Sequence, residues 1–162
     1  MVLPHFNGSG TPTCDFRSRG AVVGLTLDTR PADIALAILE SLAFELRINR
    51  DRLESAGVRL GEIAVVGGGA RSDAWLQVKA DVLGCPLHKP EVDDAAALGA
   101  AILAGVGSGL FSTAEDGINV MVPPASTIEP RPDRAAAYAE RFGLYIELYP
   151  ALLPIHRRLS CP

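Results

Sequence analysis

The segment Ile63–Gly84, IAVVGGGARSDAWLQVKADVLG, constrains this chain more than any other. Glu62 to Val66 is a short run rich in β-branched residues, which predicts a buried strand. Gly67, Gly68 and Gly69 follow at once, and a helical pattern starts near Ser72 and stops at Gly84. The glycines allow positive φ and let a ligand approach where no Cβ stands in the way. The first turn of the helix offers unpaired N–H groups and the positive end of its dipole. Such a corner suits a nucleotide.

Spacing alone leaves two readings open. The turn is not G-x-G-x-x-G, because its glycines are contiguous and Ser72 stands where the third would fall. Nor is it a Walker A loop, since no Gly-Lys-Ser/Thr follows. A tight β-to-α turn with no ligand fits as well as a nucleotide site. Ser72 reads as an N-cap for the N–H groups of Ala74 or Trp75, a role compatible with touching a ligand.

The 162 residues suffice for one domain with a core, and 48% hydrophobic against 21% charged residues is a globular balance. A net charge of −4 carries no electrostatic footprint for nucleic acid or an anionic membrane. Cys14, Cys85 and Cys161 are odd in number and lack metal-ligand spacing, so they read as reduced thiols in a cytoplasmic protein. No secretory leader pattern opens the sequence. The small apolar run from Ala95 to Val106 is too short to span a bilayer.

The chain opens within a loop, residues 4–20, with no strand expected ahead of Phe6; the domain is therefore expected to be N-terminally incomplete. Ala21 to Leu27 predicts a strand apolar enough to lie inside a sheet. Pro31 suits a helix start, and a helix is expected from Asp33 to about Ser55 with Gly57 ending it. Its stripe of Ile34, Ile38, Leu42 and Leu46, widened by Ala35, Leu39, Ala43 and Phe44, predicts burial on more than one side. Arg47, Arg50 and Arg52 suit the C-terminal end of its dipole. After the glycine turn and its helix, Cys85 to Pro90 predicts a strand at an edge or a strand end, because of its prolines.

Asp93 or Asp94 is expected to cap a small-residue helix from Ala95 to about Gly105, wedged against the sheet or the glycine turn. A short helix near Thr113 to Gly117 and an extended Ile118 to Val122 complete the turn-rich part. Residues 133–159 form C-terminal helices, broken up by Pro150 and Pro154 and ending in solvated charges. Tyr138, Phe142, Tyr145 and Tyr149 make one aromatic stripe along them, read as core packing in preference to a stacking surface for a cofactor. The alternation of elements predicts an α/β fold, one domain over 1–162 with a sheet covered by helices.

These motifs, in this order, resemble the C-terminal half of the FGGY carbohydrate kinases, a branch of the actin-like ATPase superfamily. One family signature is met as Gly20-x-Val22-x-Gly24-Leu25, seven residues, Asp33-Ile34, two residues, and Ala37-Ile38-Leu39-Glu40. The adenosine motif is matched by Gly67-Gly68-Gly69-Ala70-x-Ser72, then Trp75-x-Gln77-x-x-Ala80-Asp81 and Gly84. Leu98-Gly99-Ala100-Ala101-x-Leu103-Ala104 follows, and upstream Gly8, Pro12, Asp15, Arg19 and Gly20 fit the family's loop. The resemblance implies the actin-like (ribonuclease H-like) half-fold, a mixed sheet covered by helices. It implies ATP/ADP with Mg²⁺ as cofactor, and a nucleotide held at Gly67, Gly68, Gly69, Ala70 and Ser72. Gly68 would back onto the nucleotide, and Ser72 would stand at the adenine side, where glycerol kinases tend to carry Asn and pentulose kinases often carry Ser.

In that family the general-base Asp, the sugar pocket and the Asp-Gly-Thr phosphate loop lie in an N-terminal domain with no counterpart in this sequence. No catalytic residue and no Mg²⁺ ligand is therefore assigned here, and any sugar or polyol would be met only through that domain. Phosphoryl transfer needs both substrates, the metal and an oriented base in place. Glu91, Asp93 and Asp94, with His88 nearby, read as helix capping and a solvated loop. His5 and His156 have no visible partner in the sequence. Two functions stay open: the ATP-binding part of a pentulose-preferring kinase, inactive alone, or a non-catalytic relative serving as a nucleotide-binding or oligomerising module. An unpaired sheet edge leaves room for a homo-oligomer.

Overall fold

The computed structural model describes residues 1–92 and 94–159, and its elements grow from the chain as follows. β1 (Val2–Leu3) pairs antiparallel with β2 (Ala21–Val22), Val2 opposite Val22 and Leu3 opposite Ala21. A strand thus does precede Phe6. The expected strand from Ala21 to Leu27 is cut to two residues, and Val22, Val23, Leu25 and Leu27 are exposed. Among the described residues β2 pairs with β1 alone, in a two-stranded sheet.

α1 (Pro31–Ser55) begins with proline in its first turn and ends in a Schellman turn. Val58 N–H bonds to the Leu53 carbonyl, Gly57 N–H bonds to that of Glu54, and Gly57 takes φ +86°. Its buried face is Glu40, Ser41, Ala43 and Phe44, whereas Leu42 and Leu46 from the expected stripe are exposed. Of the expected stripe, Ala43 and Phe44 are buried, while Leu42 and Leu46 at the spacing-four positions are not. The aromatic ring at 44 outweighs the leucines because α5 supplies three rings to meet it.

β3 (Ile63–Ala64) leads to a single 3₁₀ turn, Gly68–Ala70, and then α2 (Asp73–Leu83). Ser72 caps α2 by accepting from the Trp75 N–H at 3.3 Å, and Gly84 closes it at φ +66°. β4 (Leu87–Pro90) runs parallel to β3 and antiparallel to β5 (Ala125–Ile128). It is the middle strand, not an edge. Its prolines do no harm there, because Pro86 lies before the strand and Pro90 is its last residue. β5 had no signal in the sequence beyond four residues between turns.

α3 (Ala95–Gly107) is capped by Asp94, whose Oδ1 accepts from the N–H groups of Ala96 and Ala97 at 3.1 and 3.0 Å. Asp93 lies outside the described residues. The helix packs on α4 (Ala114–Met121) and not against the glycine turn. Gly105 and Gly117 permit this, since a Cβ on either would strike Phe111 or Ile102 within 3 Å. The expected extended stretch at Ile118 is helical, because Thr113 and Asp116 form a capping box that starts α4 one turn ahead of it.

α5 (Pro132–Leu159) is one continuous helix, so Pro150 and Pro154 do not divide the C-terminal part into several. Both prolines are exposed, as is Ile146, so the carbonyls that lose their donors are open to water. α2 packs against both α1 and α5. In this seam Phe44 meets Tyr138, Phe142 and Tyr145 at ring separations of 6.1, 5.8 and 4.9 Å, joined by Leu3, Ala43 and Val82. The aromatic stripe is core. Arg47 and Arg50 donate to the Val82 and Leu83 carbonyls, so they serve the open C-terminal end of α2 more than the dipole of their own helix.

Candidate functional site

The glycine turn sits at the end of β3, the strand of the parallel pair that runs straight into a helix. Gly67 has φ +80° and ψ −168°, a conformation close to glycine's alone. Its carbonyl then accepts from the Ala70 N–H at 2.9 Å, closing the 3₁₀ turn. A Cβ built on Gly67 or Gly68 would meet nothing within 4 Å, whereas one on Gly69 would approach the Trp75 ring at 3.1 Å and Lys79 Nζ at 3.3 Å. The three glycines therefore do different things. Gly67 makes the bend, Gly68 leaves an open flank, and Gly69 lets the turn rest on Trp75.

Trp75 is held in turn by Lys79, whose Nζ lies 3.8 Å from the ring centroid. Burial of that ammonium pushes its pKa below the ordinary lysine value. α2 thus supports the turn from one side with a packed cation and aromatic pair.

On the open side a cleft of about 600 Å³ runs between the turn and the end of β4. Gly67, Ala70 and Arg71 line one wall, Lys89, Pro90, Glu91 and Val92 the other, with Val66 between them. Of the site residues expected from the sequence, Gly67 and Ala70 line this cleft. Gly68, Gly69 and Ser72 belong to the same turn and cap but do not line it. Arg71 and Lys89 were missed. Arg71 occupies the variable position between Ala70 and Ser72, and its basic side chain next to a glycine turn was the available signal. Lys89 reaches the cleft only through strand pairing, which no local pattern announces; its Nζ bonds to Asp73 Oδ1 at 2.7 Å.

The remaining candidates fall elsewhere. His88 pairs with Thr127 across the strands at 3.3 Å. His5 and His156 do have a partner: the Ser18 hydroxyl lies 2.7 Å from His5 Nδ1 and 3.2 Å from His156 Nδ1, and all three residues are buried. Burial, and then the neighbouring His5, holds His156 below its ordinary pKa. This cluster ties the opening loop to the end of α5 and is far from the glycine turn in the chain. Among the described residues no three His, Cys, Asp or Glu side chains come together to hold a metal. No described helix is long and apolar enough to cross a membrane.

A mixed sheet among helices, with a glycine turn closing its parallel pair, is an α/β half-domain of the actin-like ATPase type. The model of the FGGY family of carbohydrate kinases, C-terminal domain, matches residues 1–108, and the chain belongs to that family. A glycerol kinase from Variovorax paradoxus (strain S110) is 41% identical over 119 residues, covering 70% of this chain and 24% of that protein. The crystal structure of a xyloylose kinase from Brucella ovis superposes with TM-score 0.84 at 36% identity, over 96% of this chain and 32% of that one. Plasmodium falciparum glycerol kinase with ADP shares the fold, with TM-score 0.74 at 19% identity over 91% of this chain and 30% of that one. The chain spans about a quarter to a third of the length of the relatives it matches.

Proposed function

We propose that this chain is the ATP-binding C-terminal part of a carbohydrate kinase that phosphorylates a sugar or polyol hydroxyl. The observation that carries this is the cleft beside the glycine turn, with Gly68 leaving its flank open and Gly69 braced by Trp75. A rigid turn with no side chain in the way lets a ligand lie against backbone N–H groups at little ordering cost. The cleft volume of about 600 Å³ is within the range of small-molecule and cofactor sites. ATP fits this wall; Mg²⁺ would need ligands from outside it.

Among the described residues we assign no general base toward a hydroxyl. The described acids near the cleft are engaged or solvent-facing: Asp73 binds Lys89, Asp94 caps α3, and Glu91 stands exposed at the rim. Phosphoryl transfer by this chain alone is therefore not expected. Ser72 favours a pentulose over glycerol as the acceptor of the complete enzyme. The relatives' names point both ways, one glycerol kinase at 41% identity and one xyloylose kinase at 36%.

A second reading keeps the nucleotide and drops the chemistry: a truncated relative acting as a binding or oligomerising module. Exposed Val22, Val23, Leu25 and Leu27 beside a two-stranded sheet favour it, because such a face invites another chain. Incubating the chain with ATP and a panel of pentuloses, glycerol and gluconate separates the outcomes. No ADP release is expected; turnover abolished by Gly68→Val would contradict the inactivity.

A further inference from the structure

We propose a second small-molecule site, separate from the glycine turn, in the cavity between the opening loop, α1 and α5, fitted to an ammonium group carried on an apolar or aromatic body. The cavity holds about 360 Å³, within the range of small-molecule sites. Leu3, Ile48, Phe142, Tyr145 and Tyr149 give it mostly apolar walls, and Pro12 of the opening loop lines it too. It shares no residue with the cleft at the glycine turn.

One carboxylate is built into this apolar wall. Glu45 Oε1 accepts from the Tyr145 hydroxyl at 2.6 Å and lies 3.5 Å from His5 Nε2. Its Oε2 accepts no hydrogen bond among the described residues, although the side chain is only 23% exposed. Burial works to raise the Glu45 pKa, but the hydrogen bonds of His5 and Tyr145 outweigh it and hold the group below 4.5. An ionised carboxylate with one free oxygen in an apolar recess wants a charged donor. An ammonium supplies that donor, and the tyrosine rings beside it offer π faces to a cation. Anions are disfavoured, because Asp51 lines the same cavity as Glu45. The one guanidinium at the cavity, Arg52, is exposed and lies seven residues along α1 from Glu45, about 10 Å of helix. A carboxylate bonded next to the amine carbon does not reach it from Glu45, so simple amines fit better than α-amino acids.

The test is a ligand-observed NMR titration of the 162-residue chain with 2-phenylethylamine, 2-phenylethanol, phenylacetate and L-phenylalanine. The amine is expected to bind saturably and the alcohol roughly ten- to a hundredfold more weakly, with the acid and the amino acid no better than the alcohol. Glu45→Gln keeps the shape of the side chain and an oxygen for the Tyr145 hydroxyl. It should bring the amine down to the level of the alcohol and leave the alcohol unchanged. Ile48→Trp fills the cavity and should abolish binding of both. Should that variant melt early, NOEs from the ligand ring to Tyr145 and Tyr149 of wild type locate the site without it. Equal binding of amine and alcohol, tighter binding of phenylacetate or phenylalanine than of the amine, or no binding of the amine would overturn the proposal. So would amine binding that survives either substitution unchanged, or ligand NOEs to Trp75 in place of the tyrosines.

Discussion

Arg131 closes over Asp81. The buried carboxylate takes the Arg131 backbone N–H at 2.8 Å on Oδ1, its Nε and Nη2 at 3.1 and 2.6 Å on Oδ2, and Gln77 Nε2 at 3.0 Å on Oδ1. Asp81 and Gln77 belong to the motif that follows the glycine turn, but here they anchor the segment leading into α5. They hold the wall of the site in place and do not face the cleft.

Replacing Asp81 by Ala should therefore cost stability, about 2–3 kcal/mol, because it leaves buried donors unmatched. The guanidinium, more than half exposed, escapes to water and limits the loss. Burial works to raise the Asp81 pKa, but the Arg131 hydrogen bonds and Gln77 outweigh it and leave it below 3.8. The stability it contributes is present above that value and is lost as pH falls through the lower, folded pKa. Chemical denaturation of wild type and Asp81→Ala at pH 7 and below pH 3 checks both statements: the gap between them should shrink in acid.

Adjacent glycines should respond in opposite ways. Gly67→Ala is expected to destabilise by about 1–3 kcal/mol, since φ +80° with ψ −168° is hardly open to alanine. Gly68→Val adds its methyls to empty space and should leave the melting temperature nearly unchanged while blocking the ligand. Thermal melts of both variants, set beside nucleotide titration of the second, separate a fold glycine from a site glycine.

The His5–Ser18–His156 cluster predicts an acid-sensitive joint. His156 titrates below the ordinary 6.5 because of burial and then His5, with Asp15 opposing and Arg19 adding to the effect. A depressed folded pKa means its contribution is whole above 6.5 and lost as pH falls through the folded value. Melts at pH 7.5 and 5.5, above the range where carboxylates titrate, should show a drop in wild type that is smaller in His156→Asn.

Phe44→Ala should be among the most damaging substitutions, costing about 3–5 kcal/mol, because the ring is buried among three aromatic side chains of α5. Tyr145→Phe keeps that packing and loses only the hydroxyl's 2.6 Å bond to Glu45, so it should cost no more than about 1–2 kcal/mol. Urea denaturation of the two variants gives the comparison directly.

Local chemistry made much of this legible in the sequence. Ser72, Gly84, Gly57 and Asp94 mark helix ends where the structure has them, because each acts through its own backbone. What could not be read depended on distant partners. α1 buries Phe44 and exposes Leu42 and Leu46 because of rings about a hundred residues later. β4 becomes central because Ala125–Ile128 pairs with it, and His156 is buried because Ser18 lies beside it. At the site, the turn itself was visible, while Lys89 came to it only through sheet pairing.

The most direct test of the nucleotide-binding wall is a titration of the 162-residue chain with ADP, run side by side on wild type and Gly68→Val. The wild-type chain should bind saturably but weakly, with no sub-micromolar affinity, because it supplies one wall of a cleft, and Gly68→Val should not bind while melting at the same temperature. Equal binding by the two proteins, or none by wild type, would contradict the account.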